Sequence, residues 1–279
     1  MQEYAKLQNV IKGYGKVAVA FSAGVDSTLL LRVAIDTLGA ENVLALTASA
    51  DFIAKDETRQ AQQFCEKQSV QQLIVPIEEE NIEHFCENPK NRCYYCKKQL
   101  FQCFIQTAKE HGFDTVVEGS NLDDLGDYRP GLRALAELGI QSPFRECEMT
   151  KKEIRTLSKK LGLATFDKPS FACLASRFAY GERITKERLF MVEQAESYLK
   201  QLGCKQYRVR IHGETHAIAR IELPKQEMAQ FLDGQDGELV QYFKTLGFSY
   251  VCLDLEGYRT GSMNKGVERS VDGIHRDDN

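Results

Sequence analysis

Nothing in this sequence marks it for a membrane or for export. No apolar run approaches the roughly eighteen residues that a helical span needs, and the opening MQEYAKLQNVIKGYGK has no charged stretch leading into an apolar one. Positive charge is not in excess: 36 Lys and Arg against 40 Asp and Glu leave a net charge of −4. A balance of that sign disfavours a protein that grips nucleic acid through its overall field, so no nucleic-acid partner is expected. Internal repeats and low-complexity tracts are missing. Nine cysteines, an odd count, do not make a disulfide framework and suit a reducing compartment. The expectation is a cytoplasmic chain with thiols free for metal or sulfur chemistry.

What is present is an ordinary globular composition, 43% hydrophobic and 27% charged, in 279 residues, enough for one large core or two smaller ones. The chain is organised around Val17–Leu30. Val17 to Phe21 reads as a buried strand, Ser22-Ala23-Gly24-Val25-Asp26-Ser27 as a tight loop, and Thr28 to Leu38 as a helix. The first amides of a helix lack intrahelical partners and sit at the positive end of its dipole, so such a loop binds phosphate oxygens. Ser22, Ser27 and Thr28 add hydroxyls, Gly24 allows close backbone approach, and Asp26 beside phosphates calls for a Mg²⁺ or a water to offset its charge. The plainer alternative is a strand-turn-helix whose Asp26 and Ser27 only cap the helix. The Walker pattern is excluded, because no Gly-Lys-Ser/Thr follows.

Further along, strands are expected at 42–47, 71–77 and 114–119, with helices at 1–14, 56–68 and 96–111. This alternation predicts a parallel sheet covered by helices, with 22–27, 48–51 and 118–124 gathered at its carboxyl edge. A helix over 150–161 opens with Thr150 and Glu153 at capping-box spacing. The pattern then changes: an irregular stretch at 165–180, a long helix at 185–202, strands at 207–212 and 217–223, two short helices after Pro224, and a last strand at 250–255. The expected fold class is α/β, a parallel-sheet nucleotide domain over residues 1–170 with a smaller α+β unit over 171–263 and a polar tail over 264–279.

Cys93-Tyr94-Tyr95-Cys96 enters a helix near Tyr94, where thiolates are favoured. A redox dithiol, a zinc site needing two more ligands, and two unrelated cysteines are all open readings. A further one adds Cys173, in the irregular KPSFACLASRF: three thiolates hold three irons of a [4Fe–4S] cluster and leave the fourth open for a sulfide. Cys103 is a competing ligand but is expected to face the core with Leu100 and Phe104. Cys65, Cys86, Cys147, Cys204 and Cys252 are read as structural.

The loop SAGVDS resembles the PP-loop, SGGxDS, of the ATP pyrophosphatases, with Ala23 in place of a glycine. In order, SAGVDSTLLL, RCYYCKK, GSNLDDLGDYRPG, ACLASRFAYG, YRVRIHG and ARIEL resemble the LarE family, ATP-dependent sulfur transferases acting on the organic part of the nickel-pincer nucleotide cofactor. The resemblance implies adenylation of the carboxylates of a pyridinium dicarboxylate mononucleotide, followed by displacement of AMP by sulfur. It also implies a homo-oligomer. Ser22, Gly24, Val25, Asp26, Ser27 and Ser49, with Asp127, Tyr128, Arg129 and Gly131 of the DYRPG motif, are then expected around the nucleotide. Ser176 and Arg208 are expected on the substrate phosphate, with Arg177 and Arg210 as alternatives. Glu196 and Glu222 match family carboxylates that collect divalent metal, although the third acid is Gln230 here. Some relatives sacrifice the sulfur of a lone cysteine; that position corresponds to Ala172, and Cys93, Cys96 and Cys173 match the cluster-dependent kind. A one-residue shift of this correspondence makes Cys173 the sacrificial donor. The competing readings are a tRNA-thiolating enzyme, an amide-forming synthetase, and an ATP-binding module with structural zinc.

Overall fold

The computed structural model describes residues 2–126, 130–169, 172–234, 237–259 and 262–264. Its first half alternates as expected: α1 (Gln2–Tyr14), β1 (Val17–Ala20), α2 (Val25–Leu38), β2 (Val43–Ser49), α3 (Lys55–Gln68), β3 (Gln71–Pro76), α4 (Arg92–Glu110) and β4 (Thr115–Val117). The strands form one parallel sheet in the order β3-β2-β1-β4. The chain moves outward from β1 to β2 and β3, then returns to lay β4 on the other side of β1. Strand order therefore reverses between β1 and β4, and the crevice beyond their carboxyl ends is the ligand position of such sheets.

Two helices start earlier than the periodicity places them. α2 begins at Val25, so Asp26 and Ser27 lie in its first turn, and α4 begins at Arg92, which puts Cys93 at its opening. Next come α5 (Pro130–Glu137), α6 (Pro143–Glu146) and α7 (Lys151–Lys160), the first two unforeseen. α7 carries the expected capping box: Thr150 accepts from the Glu153 amide, and Glu153 accepts from the Thr150 amide at 2.8 Å. The second half holds α8 (Lys186–Gln201), β5 (Arg208–His212), β6 (Ile218–Glu222), α9 (Lys225–Asp233), α10 (Glu238–Thr245) and β7 (Tyr250–Leu253). Its sheet runs β5-β6-β7, antiparallel then parallel.

VAVA of β1 and VLALTAS of β2 are apolar but for Thr47 and Ser49 because helices cover both faces of the sheet. On one face, Leu7, Leu30 and Ile154 from α1, α2 and α7 join Val17 and Val19 in a buried cluster. On the other, Leu44, Leu46, Phe101 and Phe104 belong to a cluster that continues through Leu174 and Phe178 to Val209 and Phe243. The two sheets thus share one apolar core, which fixes the irregular chain around Cys173 between them. Cys103 packs against this core as expected, whereas Cys252 is exposed on β7, an edge strand, and not in an apolar setting.

Candidate active site

The loop after β1 starts from fixed points: the Phe21 amide donates to Leu46 O at 2.8 Å, and Thr47 Oγ1 donates to Phe21 O at 2.9 Å. Ala23 then takes φ +53°, in the left-handed region, while Gly24 is extended at φ −78°, ψ 171°. Glycine's freedom is thus needed at 23, where this chain has alanine, a strain of roughly 1–2 kcal/mol. Gly24 serves by its lack of bulk, since a Cβ there would stand 3.3 Å from Ser22 Oγ. Ser22 Oγ and Ser27 Oγ lie 3.2 Å apart at the mouth of α2, and the Ser22 amide donates to Ser27 Oγ at 3.3 Å. β4 ends against this loop: a Cβ on Gly119 would come within 3.0 Å of Asp26 Cβ and 3.2 Å of the Ser27 amide nitrogen. Ser49 closes β2 at the same edge.

The Asp26 carboxylate receives hydrogen bonds from Lys151 Nζ, at the start of α7, and from Asn121 Nδ2 at 3.2 Å. An ammonium therefore already offsets the charge that looked out of place beside phosphates. A second lysine, Lys168, donates to Ala23 O at 3.0 Å and to Gln60 Oε1 at 2.8 Å, holding the strained residue from outside. Burial lowers the Lys168 pKa against the opposing pull of Glu57 and Asp56. Neither lysine was legible as a site residue, although Lys168 directly precedes Pro169 in the segment leading to Cys173.

Cys93, Cys96 and Cys173 are all half-buried and close enough for their charges to act on one another. Burial pushes the Cys96 thiol up, and the neighbouring Cys173 and Cys93 push it further; the Cys173 thiol is raised by burial while Arg92 and Arg177 draw it down. The thiolate-favouring effect expected from the helix start is thus outweighed at Cys96 by desolvation. Among the described residues, no three His, Cys, Asp or Glu side chains are gathered to hold a single metal ion. Gly131 lets α5 press onto this helix: a Cβ there would lie 2.7 Å from Lys97 Cδ and 3.3 Å from Cys93 O.

Buried arginines pin the Cys173 segment. Arg92 donates to Asn88 Oδ1 and, at 3.0 Å, to Ala175 O. Arg177 makes a two-pronged bond to Glu196, Nε to Oε1 and Nη2 to Oε2, both 2.8 Å. Its third nitrogen donates to Ala172 O at 2.7 Å, Cys173 O at 3.1 Å and Ser176 Oγ at 2.8 Å. Arg210 bridges Ser176 O at 3.0 Å and Glu222 Oε2 at 2.8 Å. Burial would raise the Glu196 carboxyl, but Arg177, Arg208 and the Val209 amide hold it below its ordinary value.

The two glutamates matched to metal-collecting carboxylates sit among arginines. Glu196 and Glu222 are buried, and their charges are answered by Arg177 and by Arg210 and Arg220. For the same reason Arg177 and Arg210 are committed to carboxylates. Arg208 donates to Tyr207 O and lies over the Tyr258 ring, and burial and then Arg177 lower its pKa against the pull of Glu196. An incoming phosphate would oppose that lowering. Asp127, Tyr128 and Arg129 lie outside the described residues, as does the tail beyond Asn264.

The NAD synthase family profile matches residues 4–99. An uncharacterized protein of Synechocystis is 43% identical over 94% of this chain and 97% of its own length. The pyridinium-3,5-bisthiocarboxylic acid mononucleotide synthase of Lactiplantibacillus plantarum is 36% identical over 95% of each chain. An uncharacterized protein of Methanocaldococcus jannaschii is 30% identical over 93% of this chain and 98% of its own.

Proposed function

The chain belongs to the LarE family of PP-loop ATP pyrophosphatases, and on that premise we propose that it converts the carboxylates of pyridinium-3,5-biscarboxylic acid mononucleotide to thiocarboxylates at the expense of ATP. The observation that carries the reading is the link between two devices along one segment. Lys168 holds the carbonyl of Ala23 in the phosphate loop, and five residues later the chain reaches Cys173 beside Cys93 and Cys96.

In this reading the amides opening α2, with Ser22 and Ser27, hold the ATP phosphates, and Asp26, paired with Lys151 in the absence of nucleotide, would hold Mg²⁺. The metal, when bound, shields phosphate charge. A substrate carboxylate oxygen attacks the α-phosphorus, the bond to pyrophosphate breaks, and AMP is left as the leaving group on the acyl carbon. Ser176 and Arg208 orient the substrate through its phosphate. A sulfur nucleophile then forms the C–S bond as the C–O bond to AMP breaks.

We assign the sulfur chemistry to a [4Fe–4S] cluster on Cys93, Cys96 and Cys173. What supports it is that the three thiols act on one another's charge and that Arg92 and Arg177 pull the Cys173 thiol down against the larger upward push of burial. When bound, such a cluster supplies an exchangeable sulfide on the iron that has no cysteine. Sacrificial transfer is less well supported, because the matching position is Ala172, which has no sulfur. The match to NAD synthase stops at residue 99 and speaks for adenylation, which amide-forming synthetases share. The proposal keeps residues 1–170 as the adenylating unit, 171–263 as the substrate and oligomer-forming unit, and the cytoplasm as the location.

The test is iron and acid-labile sulfide content of protein purified without oxygen. About four irons per chain, lost in Cys93→Ala, Cys96→Ala and Cys173→Ala, is the expected result. Zinc without iron would remove the cluster from the account.

A further inference from the structure

Residues 77–91 join β3 to α4, and two of them, His84 and Asn88, hold left-handed backbone angles, φ +55° and +52°, without being glycine. Asn88 is fully buried, and each of its polar groups is used. Its amide donates to Phe85 O at 3.2 Å, and its carbonyl accepts from the Gly181 amide at 2.9 Å. Its side chain donates through Nδ2 to Ala179 O at 2.6 Å and accepts at Oδ1 from Arg92. An asparagine tolerates this backbone better than most residues, and here it ties the start of α4 to the chain beyond Cys173.

Arg92 is buried as well, 3% exposed, and opens α4 directly before Cys93. Its Nη1 donates to Asn88 Oδ1 and, at 3.0 Å, to Ala175 O, two residues past Cys173. Both acceptors are neutral. Among the described residues no carboxylate pairs with Arg92, whereas Arg177 and Arg210, buried likewise, are answered by Glu196 and Glu222. A guanidinium does not give up its proton to escape burial, so its charge calls for an anion nearby. The groups that the fold brings to it are thiols: Cys93 follows it in the chain, and the carbonyl it grips belongs to the Cys173 segment. Arg92 is also the foremost of the influences that draw the Cys173 thiol down against burial, and it draws Cys96 the same way.

We propose that Arg92 is the fixed counter-charge of the three-cysteine site, and that Asn88 is the positioning residue that aims it there. The inference rests on the cluster reading given above. A [4Fe–4S] cluster on three thiolates carries net negative charge, and a neutral amide at position 88 directs the guanidinium without cancelling it. A carboxylate in the same place would hold Arg92 equally well and take its charge. Reduction adds one negative charge to such a cluster, so its potential reads the field of Arg92 directly. Removing that charge should favour the oxidised over the reduced form by about tenfold, about 59 mV for a one-electron couple.

The experiment is iron content and reduction potential, the latter followed by electron paramagnetic resonance, on the full chain purified without oxygen. Asn88→Asp cancels the charge, and Arg92→Gln removes it. Arg92→Lys keeps it, and Asn88→Gly keeps both it and the left-handed backbone while deleting the side-chain bonds. A potential lowered by about 59 mV or more, or iron lost, in Asn88→Asp and Arg92→Gln, with smaller changes in Arg92→Lys and Asn88→Gly, supports the proposal. The first two variants remove the charge by opposite means, so either one, shown folded by thermal unfolding, is a sufficient test. A potential unmoved in that variant, or Asn88→Gly as damaging as Asn88→Asp, overturns the proposal and leaves the cluster reading standing, because the wild type still holds iron. A wild type without iron removes the cluster reading and this inference with it.

Discussion

Residues 22–27 are held by backbone geometry and hydroxyls, with Lys151 and Lys168 bracing them from outside. Residues 172–177 are instead held from within, by guanidiniums that are themselves held by buried carboxylates. The first arrangement suits a polyanion, because amides and hydroxyls donate without bringing a fixed counter-charge. The second suits a segment that must keep thiols in a fixed place, because one arginine satisfies three main-chain or side-chain acceptors and a carboxylate at once. The two regions should therefore fail differently: the loop through catalysis, the cysteine segment through stability or loss of its cofactor.

The sharpest separation is expected from the cysteines. Cys173→Ala should abolish sulfur incorporation while leaving substrate-dependent pyrophosphate release, measured by a coupled phosphate assay, near wild type. Asp26→Asn should do the reverse, cutting pyrophosphate release by about 10²-fold, a loss typical of a removed charge-stabilising group, while retaining iron. Next comes the buried pair. Arg177→Ala or Glu196→Ala each leaves an unpaired buried charge and should cost about 3–5 kcal/mol in denaturant unfolding, and Arg177→Lys should not restore it. The pair also sets an acid limit. The Glu196 pKa is lowered in the fold, so its contribution is present above the unfolded carboxylate value and is lost as pH falls through the folded one. Glu196→Gln should thus be least harmful at acid pH, as read from melting temperature against pH. The smallest effect is expected at Ala23. Glycine there relieves left-handed strain but adds freedom to the unfolded chain, for a net gain of about 0.5–1 kcal/mol with pyrophosphate release retained.

The same contrast explains what could be read from the sequence. The loop was legible because strand, small residues and helix are contiguous, and the parallel sheet because β1 to β4 alternate with helices at ordinary spacing. Thr150 and Glu153 announced α7 by a local motif. Arg92, Lys151 and Lys168 were missed because their roles depend on partners 83, 125 and 145 residues away. The burial and arginine partners of Glu196 and Glu222 were not legible for a related reason: an isolated glutamate in a sequence looks like a solvated charge, and only the folded positions of Arg177 and Arg210 bury and neutralise it. The strain carried by the alanine of SAGVDS was not legible, because the left-handed requirement at position 23 is visible only in the backbone.

The central claim is that adenylation at the loop and sulfur delivery at Cys173 are successive steps on one substrate. Its most direct test is to incubate anaerobic protein with ATP, Mg²⁺, sulfide and pyridinium-3,5-biscarboxylic acid mononucleotide, and to follow pyrophosphate, AMP and the mass of the mononucleotide together. The account predicts one pyrophosphate and one AMP for each oxygen replaced by sulfur, with replacement lost and pyrophosphate retained in Cys173→Ala. Pyrophosphate release that ignores the mononucleotide, or sulfur gained without ATP cleavage, would contradict it.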